Sequence, residues 1–155
     1  MCLTVLFWKR FFRLLMAVAL AVCFTPSVAL AVDITNANSP YSTTADNTDQ
    51  HKLKTHNNIS LTNDFVINYN NHSAVRANSI TGVTITNNGT ITNRDVSGKN
   101  YAIQAQSGSV TITNSGTIEA AQNYAIDVNK SSSSTITNNV GGIITAGSWA
   151  INGAH

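Results

Sequence analysis

Seven carboxylates are the groups in this 155-residue chain that could do acid–base or cation chemistry: Asp33, Asp46, Asp49, Asp64, Asp95, Glu119 and Asp127. Glycoside hydrolysis needs two of them flanking one bond, and a calcium site needs several converging on one point. No two stand at a motif-like spacing. Glu119 takes the place that Thr92 and Thr145 hold in neighbouring repeats, and Asp127 the place of Gln104 and Asn152. Both are therefore expected as ordinary outward substitutions. His51 and His56 sit among Lys52 and Lys54, and only His72 is near enough in sequence to make a third ligand. A zinc site needs ligands at defined spacing, so these are expected as solvated surface histidines. No Ser-His-Asp arrangement and no glycine-rich phosphate loop occurs. The expected catalytic, cofactor-binding and metal-ligating residues are none, no cofactor is expected, and the chain is not expected to be an enzyme.

Two further sets carry weaker chemistry. Thr84 and Thr86, Thr111 and Thr113, and Thr135 and Thr137 form Thr-x-Thr pairs, and threonine combines solubility with high strand propensity. Rows of such pairs on one flat face would resemble an ice-binding surface. Tyr101, Tyr124 and Trp149 could stack for glycans. Each lies two residues before an isoleucine (Ile103, Ile126, Ile151), so a core or core-edge ladder is expected of them.

These positions belong to a repeat. Gly82-Val83-Thr84-Ile85-Thr86-Asn87-Asn88-Gly89-Thr90-Ile91-Thr92 returns as Ser109-Val110-Thr111-Ile112-Thr113-Asn114-Ser115-Gly116-Thr117-Ile118-Glu119. A looser copy runs from Ser134 to Thr145, and a degenerate one, Ile59 to Asn68, aligns at an offset of 24. Each is accompanied by Tyr101-Ala102-Ile103, Tyr124-Ala125-Ile126, Trp149-Ala150-Ile151 or the degenerate Ser73-Ala74-Val75. Four units of roughly 24 to 27 residues result.

Alternation puts Val83, Ile85 and Asn87 on one side and Thr84 and Thr86 on the other. Asn88-Gly89 between alternating segments signals a hairpin. A hairpin meander, however, has no reason to repeat a three-piece unit at nearly constant length. A coil does, because equivalent residues must stack about 4.8 Å apart. Stacking also explains an inward Asn at 63, 87, 114 and 138, since a buried amide is costly alone and satisfied in a ladder. Gly89, Gly116 and Gly142 are expected to supply positive φ at the following corner. The fold predicted is all-β: a right-handed parallel β-helix of about four coils over 58–155, behind a polar N-terminal segment or cap at 32–57.

Residues 1–31 read as a secretory signal peptide. Lys9, Arg10 and Arg13 form its basic region, Leu14 to Phe24 its apolar run, and Ala29-Leu30-Ala31 its cleavage pattern before Val32. Cleavage removes both cysteines, Cys2 and Cys23. Nine basic residues less the leader's three leave six against seven acidic, a formal charge of −1. No basic patch with interleaved aromatics appears, so nucleic acid is not an expected partner. A membrane is expected only during export.

Ile112-Thr113-Asn114-Ser115-Gly116-Thr117-Ile118 with Tyr124-Ala125-Ile126 resembles the coil motif of bacterial autotransporter (type V secretion) passenger domains. The resemblance covers Asn58 to the C-terminus. It implies a non-catalytic, surface-exposed or secreted β-helical passenger fragment, an adhesin-like scaffold, located in the periplasm, at the cell surface or outside. Its implied partners are host or neighbouring-cell surface molecules or glycans. The resemblance would put a translocator barrel after such coils and none is read here, so a non-functional truncated product and edge-to-edge self-association are expected alongside it. A polysaccharide-active β-helix enzyme and the threonine-ladder ice binder are the other functional alternatives.

Overall fold

The computed structural model describes residues 31–54, 57–98, 100–106 and 108–153. The expected signal peptide, apart from Ala31, and His56 lie outside the described residues.

Alternating β-branched and polar residues form short strands throughout. The first coil carries β1 (Val32–Ile34), β2 (Tyr41–Ser42) and β3 (His51–Leu53), with a single 3-10 turn at Asn36–Asn38. Three strands then recur in each coil. They are β4 (Ser60–Asn63), β5 (Val66–Asn68) and β6 (Val75–Asn78) in one, and β7 (Val83–Asn87), β8 (Thr90–Asn93) and β9 (Ile103–Gln106) in the next. The last two coils hold β10 (Ser109–Asn114), β11 (Thr117–Ala120) and β12 (Ile126–Asp127), then β13 (Ser133–Asn138), β14 (Ile143–Ala146) and β15 (Ile151–Asn152).

Successive coils stack into three sheets. One has six strands, ordered β1-β3-β6-β9-β12-β15. A second has five, β13-β10-β7-β4-β2, and a third has four, β14-β11-β8-β5. The pairings are parallel, for example Leu61 with Ile85, Ile85 with Ile112, and Ile112 with Ile136. This is a parallel β-solenoid of about four turns. β7 and β8 flank the Asn88-Gly89 hairpin signal, yet each pairs with its equivalents in adjacent coils rather than with the other. Stacking satisfies both edges of a strand, whereas a hairpin would satisfy one.

The ladders begin earlier than the repeat is legible. β1 pairs with β3, β3 with β6, and β2 with β4, while Asn47 bridges to Ile67. The polar stretch 32–57 thus holds a shorter coil at the N-terminal end. Ile34 is fully buried there.

The core is a set of aliphatic columns: Leu61, Ile85 and Ile112; Ile67, Ile91 and Ile118; Val75, Ile103 and Ile126. Each buried isoleucine contributes about 2 kcal/mol of apolar transfer. Cover fails at the last coil. Ile136 and Ile144 are only partly buried, and Ile143, Ile151, Trp149 and Val140 are exposed.

The corner glycines correct an expectation. Gly82 and Gly141 have positive φ, 71° and 86°, whereas Gly89, Gly116 and Gly142 do not. Their need for glycine is one of space. A Cβ at Gly89 would overlap the Phe65 carbonyl oxygen, and one at Gly116 would overlap the Gly89 carbonyl oxygen. The same corner accepts the hydrogen bonds that join coils: the Thr90 N–H donates to the Phe65 carbonyl at 2.7 Å, and the Thr117 N–H to the Gly89 carbonyl at 2.8 Å.

Candidate functional site: the outer face of the six-stranded sheet

Inside the solenoid the polar groups serve the fold. Asn63, Asn87 and Asn114 are fully buried, and each donates to the Oδ1 of the next asparagine at 2.7–2.8 Å. Their amides also reach main-chain carbonyls, such as Asn87 Nδ2 to Thr117 at 3.0 Å. Thr43 closes the ladder at the N-terminal end, its hydroxyl donating to Asn63 Oδ1 at 3.0 Å. None of this faces a ligand.

The outward rows of the five-stranded sheet are as expected. Thr84, Thr111 and Thr135 fall in one register column, and Thr86, Thr113 and Thr137 in another. Ser60 and Thr62 extend both columns by one coil. The face is neutral and uniform.

The six-stranded sheet carries the varied chemistry. Its register aligns Asp33, Lys52, Arg76, Gln104, Asp127 and Asn152 in one outward column. The neighbouring outward positions include Lys54, Asn78 and Gln106; Asn78 and Gln106 are direct partners. From Asp33 the face runs through two cations and an amide to Asp127 and Asn152.

At the cationic end Lys52, Leu53, Lys54, Arg76 and Asn78 line a groove of about 230 Å³. Lys54 Nζ meets Asp33 Oδ2 at 3.1 Å, both half-exposed. With its amide oxygen turned toward Arg76, Asn78 accepts from Nε at 3.1 Å and from Nη2 at 3.3 Å. In that orientation a neutral acceptor from the next-but-one residue holds the guanidinium.

No family model, no curated protein and no solved structure matches this chain. The functional argument therefore stands on the geometry of this face.

At the other end Asp127 stands in the outward column expected of it but is not an ordinary surface side chain. It is fully buried. Gln106 Nε2 donates to its Oδ2, Asn152 Nδ2 to its Oδ1 at 2.8 Å, and the Asn129 N–H to Oδ1 at 3.5 Å. A buried carboxylate needs such donors, and amides from adjacent coils supply them. The sequence signal was the company it keeps: Gln104, Gln106, Asn129 and Asn152 surround one carboxylate once the register is known. Glu119 does lie opposite Thr92 and Thr145, and is half-buried.

Tyr101 and Tyr124 stack at the entrance to this sheet, ring centroids 5.8 Å apart and 6° from parallel. Trp149 continues the column at 6.3 Å from Tyr124, tilted by 42°. The tyrosines are half-buried, which fits a core-edge ladder; Trp149, on the last coil, is 66% exposed. Burial raises the Tyr101 hydroxyl pKa, and the Asp127 charge and Tyr124 add to the shift.

His51 is a second correction. It is fully buried against Tyr41, with ring centroids 5.8 Å apart, rather than solvated. Its Nδ1 faces the Asp49 carbonyl at 3.1 Å, which can only accept, so Nδ1 carries the proton. Nε2 is buried with no partner among the described residues. Burial pulls its pKa below the ordinary value, against smaller upward pulls from the Asp49 carbonyl bond and charge. His72 is exposed. Among the described residues, no three His, Cys, Asp or Glu side chains stand close enough to hold a metal. Asp95 closes a surface turn, accepting from the Ser97 N–H at 2.8 Å and Oγ at 2.6 Å, and these bonds with Asn100's lower its pKa.

Proposed function

We propose that this chain is an exported, non-catalytic display scaffold of the adhesin type, resembling an autotransporter passenger. It works at the cell surface, in the periplasm or outside the cell. One observation carries the proposal. Most of the described inward positions hold aliphatic side chains or a self-satisfying amide ladder, with His51 among the exceptions, while the chemically varied side chains stand in rows on one outer face. Such a body is stiff along its axis because each coil is hydrogen-bonded to the next. What it offers a partner is an ordered surface: cations, amides and aromatics at fixed spacing, suited to glycans or surface molecules of a host or neighbouring cell.

The leader at 1–31 supplies the export step of this proposal. Expression of the full chain in a bacterial host, followed by N-terminal sequencing, is expected to find a mature chain beginning at Val32. Intact Met1 in the cytosol overturns the export half. Incubation with uronate polymers is expected to release no product; turnover that follows the protein through purification overturns the non-catalytic half and favours the enzyme alternative.

The registered threonine columns of the five-stranded sheet favour one other reading, ice binding. Thermal hysteresis in a concentrated solution of the chain supports it, and none at high concentration removes it.

A further inference from the structure

The cationic end of the six-stranded sheet is built at a cost. Lys52 and Arg76 are direct register partners, about 4.8 Å apart along the axis. Like charges directly opposite each other on one face of a sheet destabilise it. Lys54 is compensated by Asp33. Asp33 is also the register partner of Lys52, but its ion pair goes to Lys54. Among the described residues no carboxylate makes an ion pair with Lys52 or Arg76, and both line the groove. Asn78 holds the guanidinium in place rather than neutralising it. Beyond the leader the chain is slightly acidic, so the positive potential here is local and placed, not a by-product of net charge.

We propose that this groove binds the acidic group of a polysaccharide, a uronate carboxylate or a sugar sulfate, clamped between Lys52 and Arg76. The inference rests on the display function above and names its ligand class. A planar guanidinium suits a carboxylate or sulfate edge, and the lysine adds a point charge. In the same column Gln104, the register partner of Arg76, offers a donor and an acceptor, which is what sugar hydroxyls require. The amides of Asn78 and Gln106 are engaged by Arg76 and by Asp127 and Asn129. Among the described residues the groove has no aromatic lining on which bases could stack, which disfavours single-stranded nucleic acid. The described lining likewise has no aromatic or extended apolar side to seat in a lipid interface.

The test uses the purified full chain with labelled oligogalacturonate and heparin oligosaccharides, neutral dextran, and a single-stranded oligonucleotide. The expected result is at least about tenfold tighter binding of one acidic oligosaccharide than of dextran, weakening as salt rises. Lys52→Gln and Arg76→Gln should each lose about tenfold, since each removes one charged contact. Lys130→Gln, on an exposed turn, should lose nothing. Arg76→Lys, which keeps the charge, should retain part of the binding while folding like the parent by circular dichroism. Which acidic probe binds tighter distinguishes uronate from sulfate. Equal affinity for dextran, or binding indifferent to Lys52→Gln and Arg76→Gln, overturns the inference; so does tighter binding of the oligonucleotide. Loss of acidic preference with export and neutral-glycan binding intact defeats this inference and leaves the display function standing.

Discussion

Asn87 Nδ2 donates to Asn114 Oδ1 at 2.7 Å across two coils, with both side chains fully buried. The bond is one rung of a column from Thr43 to Asn138, and it makes the interior of each coil depend on the coils beside it.

Asn114→Ala should therefore be costly. It removes one of three acceptors of the Asn87 amide and withdraws the donor from Asn138 and from the Gly116 and Ile143 carbonyls, a loss of about 2 kcal/mol or more. Asn138→Ala, at the exposed end, should cost no more than about 1 kcal/mol because water replaces the partner. Urea unfolding of both variants checks this. Equal losses would show that the ladder has no special weight.

The corner glycines separate two kinds of constraint. Gly116→Ala places a Cβ onto the Gly89 carbonyl oxygen, an overlap with backbone that cannot rotate away, and should cost more than about 2 kcal/mol. Gly141 has φ +86° and open space around it, so Gly141→Ala should cost only about 1 kcal/mol. Asparagine, which tolerates left-handed backbone, should recover part of the loss at 141 and none at 116. Thermal melts of the four variants decide the matter.

His51 should make stability depend on pH near neutrality. Its folded pKa lies below the ordinary 6.5, so the unfolded chain binds the extra proton first as pH falls. Stability is then fully present above about 6.5 and declines as pH drops toward 5. His51→Leu removes both the titration and the unpartnered Nε2. Its melting temperature should be flatter between pH 7.5 and 5; an unchanged slope would place the dependence elsewhere.

The C-terminal coil leaves a ladder edge and apolar side chains in water, with Val140 fully exposed and Ile143 and Ile151 half so. Unpaired edges of this kind promote association. Sedimentation velocity should show concentration-dependent self-association, reduced by Val140→Lys with Ile143→Lys. Monomers at every concentration would count against it.

Period and polarity were legible in the residues themselves. Alternation about Ile85 and Ile112 decided which side chains face inward. The recurrence of Asn63, Asn87, Asn114 and Asn138 at 24, 27 and 24 residues decided that coils stack in register, because only stacking satisfies a buried amide. Those are local properties repeated, and a sequence displays them directly. Other features were decided only by the tertiary structure, because they depend on residues some 20–30 positions away that share no motif. Asp127 is buried because amides from adjacent coils close on it. His51 is buried because the polar stretch before it pairs as a coil, a pairing carried by backbone groups that any side chain permits. Gly89 and Gly116 are glycine because a neighbouring coil's carbonyl occupies the Cβ position, not because of their own φ. The groove of Lys52 and Arg76 likewise exists only once two ordinary lysine- and arginine-bearing strands are laid side by side.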